Sequence, residues 1–472
     1  MAYAEKRGNL WRARWRGPDG TLEGLSGFDD KKAAVKYGQD RESEIRKGTY
    51  VDPRHGTITL IEWVNEWFPS LDLEATTLNN YRYMIEVHIL PEFGERELKS
   101  LSVQEVASWE KRLRANGLSQ RTAADMRSTL GTVLADAVPR HLHVNPAARK
   151  RGKGRKGLRR IARIEKQEKA WPSPVQALLV AERASVLSGV DTEFIMNITI
   201  AYTGMRWGEA LGLRPECVRT DELDVHWKVY ELNGHFYRGR PKDGSMRMVD
   251  LPPFLSKLLA THLETRSPTS CQCRRPAGGA DDVDWCEGDA YAFLGPKGGH
   301  FRRSNYSERV MRPAADGRYP ARKGRDPRAE MPVLVNQAHA WPGRLLPPWP
   351  YAEPTEAAYT APTGRGRPRL TGDDSAASWR AILPGLTPHG LRHGHQTWLE
   401  EAGTPYILVA DRMGHEVDGM RGTYSHVSDG MRTAVRKTLQ ALWEHALTER
   451  LRISPRSAVP VLDALLREHR EA

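Results

Sequence analysis

Between Arg149 and Lys169 eleven residues are Lys or Arg, with glycine interspersed in the first half of the stretch. Such a run repels itself and has too little apolar surface to bury, so it is extended when free and divides the chain into two foldable parts. A purely solvated linker is the plain alternative. With basic segments on both sides, the preferred reading is a strap whose Lys150, Arg151, Lys153, Arg155 and Lys156 neutralise phosphates. At 472 residues and a formal net charge of +12, the chain has room for two to four domains and suits a polyanionic partner.

No apolar run approaches the roughly 20 residues that span a bilayer. The first residues, Met1 to Asn9, are polar and lack the apolar stretch of a signal peptide, so a reducing cytoplasm is expected. The four cysteines cannot make a disulfide framework at this length. Cys271, Cys273 and Cys286, with His300 as a fourth ligand, can be drawn as a zinc set. Their spacing is not a standard finger pattern, and the preferred reading is free thiols in a surface insertion, with no metal.

Residues 1–55 read as a small β-plus-helix domain. Leu10 to Arg16 alternates bulky and basic side chains, which places Arg12, Arg14 and Arg16 on one strand face. Gly17-Pro18-Asp19-Gly20 turns the chain, and Asp29 or Asp30 can cap a helix ending near Gly48. A solvated basic hairpin is one reading; a nucleic-acid contact is the other.

Residues 57–147 carry helical periodicity. Leu60, Trp63, Val64 and Trp67 form one stripe, and Tyr81, Ile85 and Ile89 another. Pro91-Glu92-Phe93-Gly94 is expected to break the pattern, and Ser102 and Ser119 start further helices. By themselves these stripes imply only a helical bundle. Residues 148–170 are the basic linker. Residues 171–446 form a mixed α/β domain, with insertions near 266–300 and 313–384, and 447–472 is a C-terminal tail. The apolar stripe Val459, Leu462, Leu465 and Leu466 suggests docking onto a neighbouring protomer.

Opening a phosphodiester without water or metal needs a nucleophile, stabilisation of the non-bridging oxygens, a proton for the leaving oxygen, and fixed geometry. Arginine suits the second task, because its planar fork binds two phosphate oxygens and stays charged. Thr203-Gly204 places Arg206 in the first turn of a helix, with Glu209 able to hold it three residues on. His389 and Arg392 lie three apart on one helical face, and His389 can exchange a proton near neutral pH. His393 is read as supporting. Met413-Gly414 presents His415 from a loop, and Thr423-Tyr424-Ser425-His426 offers a phenol whose flanking cations ease loss of its proton. Each residue alone is better explained as an ordinary salt bridge or a buried aromatic.

Taken together, the boxes Thr203 to Leu213, His389 to His393, Met413 to His415 and Thr423 to His426 resemble the tyrosine recombinases, or phage integrase family. Pro241-Lys242-Asp243-Gly244-Ser245-Met246-Arg247 resembles that family's β-hairpin lysine segment. His88-Ile89-Leu90-Pro91 and Asn145-Pro146-Ala147 are similar to its core-binding domain, and residues 1–55 to the arm-binding domain of its larger members. Departures are a tryptophan and glycine after Arg206 and a stretched spacing before His389.

The resemblance implies a multidomain chain, mainly α with small β-sheets. The arm-type and core-binding domains would precede a mixed α/β catalytic domain. It implies Tyr424 as nucleophile forming a 3′-phosphotyrosyl link, and Arg206, Arg392 and His415 on the scissile phosphate. His389 would handle protons, and Lys242 would be general acid for the 5′ oxygen. Neither cofactor, ATP nor metal is needed. The implied partners are double-stranded attachment sites and a homotetramer on the synapse, with an excisionase or host DNA-bending protein assisting. A transposase or chromosome-dimer resolvase would share the chemistry. A non-catalytic DNA-binding regulator and a metal-dependent nuclease built on the histidines are the readings from other classes.

Overall fold

The computed structural model describes residues 1–47, 57–149, 169–275, 284–322, 327–336, 352–355, 376–417 and 426–471. The chain divides into two compact units, Met1–Glu165 and Lys166–Ala472. It is mainly helical with small sheets.

In the first unit β1 (Tyr3–Arg7), β2 (Leu10–Arg16) and β3 (Leu22–Phe28) form an antiparallel sheet in that order. Strand β1 carries no strong alternation and is not evident in the sequence. Ala13 and Trp15 pack inward with Ala34 of α1 (Lys31–Arg46), so the alternation leaves Arg12, Arg14 and Arg16 on the other face. Asp30 caps α1, its Oδ1 accepting from the Ala33 amide at 2.8 Å.

The helical part of this unit starts its helices as the polar residues dictate. Thr59 with Glu62 and Ser102 with Glu105 form capping boxes for α2 (Leu60–Trp67) and α5 (Val103–Ala115). Ser119 caps α6 (Gln120–Ala135). Trp63 and Trp67 are buried, and their indole N–H groups donate to the Val133 carbonyl at 2.9 Å and Asp136 Oδ2 at 2.7 Å. Pro91 does not break the helix it was expected to break. Helix α3 (Ala75–Met84) runs through a π turn at Ile85–Ile89 into α4 (Leu90–Phe93). A proline lacks the amide the ladder needs, and the wider turn just before it absorbs the missing bond. The same device precedes Pro313, where a π turn at Ser307–Met311 joins α11 (Arg303–Tyr306) to α12 (Arg312–Asp316).

The second unit is built around α7 (Pro174–Ser188) and α8 (Asp191–Thr203); every α8 residue from Glu193 to Thr203 is buried. Gly204, at φ 69°, ends α8 in the left-handed region and turns the chain toward α9 (Trp207–Leu211). Strands β4 (Glu222–Val225) and β7 (Arg247–Asp250) pair, and β5 (Lys228–Leu232) and β6 (His235–Gly239) make a separate hairpin. Lys242 therefore lies on a short helical turn between β6 and β7, which pair with other strands and not with each other. Helix α10 (Pro253–Thr265) follows.

Two expectations change here. The stretch 266–300 is not a surface insertion throughout, because Tyr291, Ala292, Phe293 and Leu294 are buried in the unit's core. The stretch 313–384, read as an insertion, also contributes to that core: Ala314, Ala315, Val333, Trp379 and Ile382 are buried in it, and Arg183 ties the two ends together by donating to Ala314 and Arg380 carbonyls at 3.1 and 2.8 Å. Short strands β8 (Arg318–Tyr319), β9 (Met331–Pro332), β10 (Leu334–Asn336), β11 (Ala352–Thr355) and β12 (Ala376–Trp379) lie between. The tail is the second expectation to change. After α13 (Pro388–Glu401) and α14 (Tyr406–Met413), α15 runs from Asp429 to Ile453, and α16 (Pro460–Glu471) folds back. Val459, Leu462 and Leu466 are buried in the chain's own core, so this stripe has an internal partner. Fully buried Arg450 anchors the join with a two-pronged contact to Glu182 at 2.7 and 2.6 Å.

Candidate active site

Arg206 is not in the first turn of α9 but caps it from an extended conformation. That short helix matters less for its dipole than for Glu209. The Glu209 carboxylate accepts from the Arg206 backbone amide at 2.8 Å and from Arg206 Nη1 at 2.9 Å. Its two oxygens also accept from Arg247, at 2.8 Å from Nη2 and 3.3 Å from Nη1. Burial would raise the Glu209 pKa, but Arg247 and Arg206 together hold it below the usual carboxylate value. One buried anion thus orients two cations.

Arg392 enters from α13, whose N-cap is Thr387. Its Nη1 donates to the Gly204 carbonyl and its Nη2 to the Met413 carbonyl and to His415 Nε2, the last at 3.0 Å. Arg206 Nη2 reaches the adjacent Gly414 carbonyl at 3.3 Å. Two guanidinium groups 186 positions apart (392 − 206) therefore converge on the loop after α14. Because arginine only donates, His415 Nε2 is an acceptor and its proton sits on Nδ1. Burial, then the charge of Arg206, pushes the Arg392 pKa down to about 9, so it stays cationic at neutral pH.

Gly414, with φ 62°, is required at this crossing. A Cβ there would meet Arg247 Nη1 at 3.0 Å and Ser245 Cβ at 3.1 Å. Ser245 is the bridge to Lys242: its hydroxyl accepts from Arg206 Nη1 at 3.0 Å and donates to the Lys242 carbonyl at 2.8 Å. The exposed Lys242 side chain is thereby carried on a turn fastened to Arg206.

His389 and His393 sit edge to face, ring centroids 4.6 Å apart. Partial desolvation, then the neighbouring charges of His393 and Arg392, pushes the His389 pKa down to about 4. Its outer edge is exposed, and solvent there screens part of that penalty. His415 and His393 are lowered as well, by burial first. These shifts favour the neutral form of each imidazole, and His415 spends its Nε2 lone pair on Arg392.

Beneath these groups lies a layer the sequence boxes do not announce. His395, fully buried, donates from Nδ1 to the Ala201 carbonyl at 3.0 Å and accepts on Nε2 from Arg412 at 3.1 Å. Arg412 also donates to the Asp250 and Tyr202 carbonyls, and its own carbonyl accepts from Arg247 Nε at 2.8 Å. His395 is one helical turn past Arg392, the one signal that could have flagged it. Tyr424 and the strap residues Lys150, Arg151, Lys153, Arg155 and Lys156 lie outside the described residues. In the first unit Arg14 contacts Glu5 at 3.3 Å, and Arg16 donates to the Gly20 carbonyl at 3.0 Å.

Among the described residues of the site, the cations of Arg206, Arg247 and Arg392 outnumber the one carboxylate they surround, that of Glu209. That surplus cation, with Arg206 at 26% side-chain exposure, makes the site a receptor for an anion. Elsewhere, the expected free thiols are not on the surface: Cys271 and Cys286 are buried and share a cluster with Cys273 and His300. No helix among the described residues is long and apolar enough to cross a membrane.

Known proteins share this architecture. The structure of a Tn1549 transposon integrase in complex with transposon right end DNA superposes with a TM-score of 0.52 at 14% identity, covering 80% of this chain and 99% of that one. The fold is that of the tyrosine recombinases. Residues 59–114 match the phage integrase N-terminal SAM-like domain. A putative prophage phiRv2 integrase of Mycobacterium tuberculosis is 24% identical over 54% of this chain. The ICEBs1 integrase of Bacillus subtilis is 26% identical over 40%. The matches span 66% and 50% of those relatives' own lengths. The chain is thus similar in fold to a solved integrase over most of its length, and in sequence to integrases over about half of it.

Proposed function

We propose that this chain is a site-specific integrase that cuts and rejoins DNA through a 3′-phosphotyrosyl intermediate, moving a phage or other mobile element into and out of a chromosome. The observation that carries this reading is the convergence of Arg206 and Arg392 on the Met413–His415 loop. Two guanidinium groups held on one side of a scissile phosphate stabilise the charge that develops as the phosphorus is attacked. His415 completes the clamp, and His389, neutral near pH 7, takes and returns protons. Lys242, on the turn tied to Arg206, protonates the departing 5′ oxygen. Tyr424 attacks, and a 5′ hydroxyl from the partner duplex later displaces it. Bond energy is conserved in the ester, so neither ATP nor a catalytic metal enters the step.

Exchange between two duplexes calls for four protomers on the synapse, with accessory proteins setting direction. Residues 1–55 supply the arm-site contact through Arg12, Arg14 and Arg16, residues 57–147 embrace the core site, and the strap neutralises phosphates between them. The work takes place on bacterial DNA in the cytoplasm.

The test uses nicked DNA copied from the junctions of the integrated element. Wild-type protein is expected to form a covalent adduct without added metal. Tyr424→Phe should abolish the adduct and leave binding intact; an undiminished adduct from that variant rejects the assignment. A requirement for added magnesium would favour a nuclease instead.

A further inference from the structure

Cys271, Cys273, Cys286 and His300 come from two segments of the 266–300 stretch, yet their ligand atoms all lie within 4.8 Å of one another. Cys271 Sγ and Cys286 Sγ are 3.5 Å apart, and Cys286 Sγ is 3.1 Å from His300 Nε2. A disulfide would need sulfurs about 2.05 Å apart and would leave a thiol and an imidazole unused. Around a tetrahedral zinc, with bonds of about 2.3 Å to sulfur and 2.0 Å to nitrogen, neighbouring ligand atoms stand roughly 3.5–3.8 Å apart. Three thiols and one imidazole gathered within 4.8 Å, with pairs at 3.1 and 3.5 Å, need shifts of about an ångström or less to form that shell. They match the ligand preference of zinc over magnesium or calcium.

The surroundings are those of a closed site. Cys271, Cys286 and His300 are buried, and Phe236 and Tyr291 rings pack on the imidazole with centroids 4.9 and 4.7 Å away. The backbone around the ligands is already fixed: the Cys271 amide donates to Asp289, the Gln272 amide to Gly298 and the Cys286 amide to Phe236, at 2.9, 2.9 and 3.1 Å. The last contact joins the cluster to strand β6. Arg238 of the same strand adds its backbone amide to the Asp284 carbonyl at 2.9 Å and its side chain to Asp284 and Asp289.

We propose that Cys271, Cys273, Cys286 and His300 bind one structural zinc ion that fastens this lobe to β6, the strand leading into the Lys242 turn. Four protein ligands leave no open position for water, so the ion has no part in the cleavage step. Zinc binding stands independently of the recombination chemistry, and only the link to Lys242 rests on it.

Metal analysis and native mass spectrometry of the full-length, reduced protein test the site. One zinc per chain is expected, and replacement by cobalt should give the intense visible spectrum of a tetrahedral thiolate site. Cys271→Ser/Cys286→Ser should lose the metal, whereas Cys217→Ser, outside the cluster, should keep one equivalent. Three results would overturn the proposal. They are a wild-type chain that holds no zinc and takes up no cobalt, zinc retained in full by the double variant, or a Cys271–Cys286 disulfide in its place. Should zinc be present while its removal leaves nicked-site cleavage unchanged, the link to Lys242 falls and the metal site stands.

Discussion

Glu209 carries a negative charge to a place where only arginines can compensate it. It is 1% exposed and grips Arg206 and Arg247 at once. Removing one member of a buried ion pair leaves the others unpaired and costs about 3–5 kcal/mol. Glu209→Ala is therefore expected to lose stability of that order in denaturant unfolding and to abolish adduct formation; a loss under about 1 kcal/mol would show that solvent already compensates the arginines. The sign with pH follows from the shifts. The Glu209 pKa is lowered in the folded chain, so its contribution is complete above the unfolded value near 4.5 and is lost as pH falls through the folded value. The His389 and His415 pKa values are lowered below 6.5, so the unfolded chain binds protons first and stability declines as pH drops below that point. Urea unfolding at pH 7.5 and 5.5, values chosen about one unit either side of the histidine midpoint, should give the lower midpoint in acid. A higher midpoint at acid pH would contradict these shifts.

At the scale of elements, Gly204 and the α15–α16 return do the positioning. A Cβ on Gly204 would meet Met413 Sδ at 2.7 Å and His395 Cδ2 at 2.8 Å, so the turn that delivers Arg206 is pressed directly against the elements that deliver Arg392 and His415. The C-terminal return is equally internal. Leu462, fully buried, should cost about 2–5 kcal/mol when cut to alanine, measured on dilute monomer. A stripe serving a neighbouring subunit would instead leave the monomer's melting temperature unchanged. Helix starts were legible in the sequence because Asp30, Ser102 and Ser119 satisfy amides locally. So was the Arg206–Glu209 contact, because its partners lie three residues apart in one short box. Pro91 was misread, because a π turn is a backbone adjustment with no signature in residue type. Tyr291 to Leu294 went unread because a four-residue apolar run between breakers does not reveal its distant core partner. Arg247, Arg412 and His395 were obscure for a similar reason, since their partners lie far away along the chain.

At the scale of the molecule, a net charge of +12 and the basic run from Arg149 to Lys169 predict binding that weakens steeply with salt, log K falling by about 0.9 per phosphate neutralised. A chain without residues 1–55 should still cleave core-site DNA while integrating poorly. Loss of cleavage in that chain would show that the first domain serves the chemistry and not the placement of a second DNA site. The central claim, that two arginines and a tyrosine distant in sequence enclose one phosphorus atom, is tested most directly by peptide mapping of the covalent adduct on nicked junction DNA. The expected result is a 3′-phosphate ester on Tyr424 in wild-type protein, reduced by about 10²–10³ in rate when Arg206 or Arg392 becomes alanine. A linkage to another residue, attachment through a 5′ phosphate, or undiminished adduct formation without either arginine would contradict it.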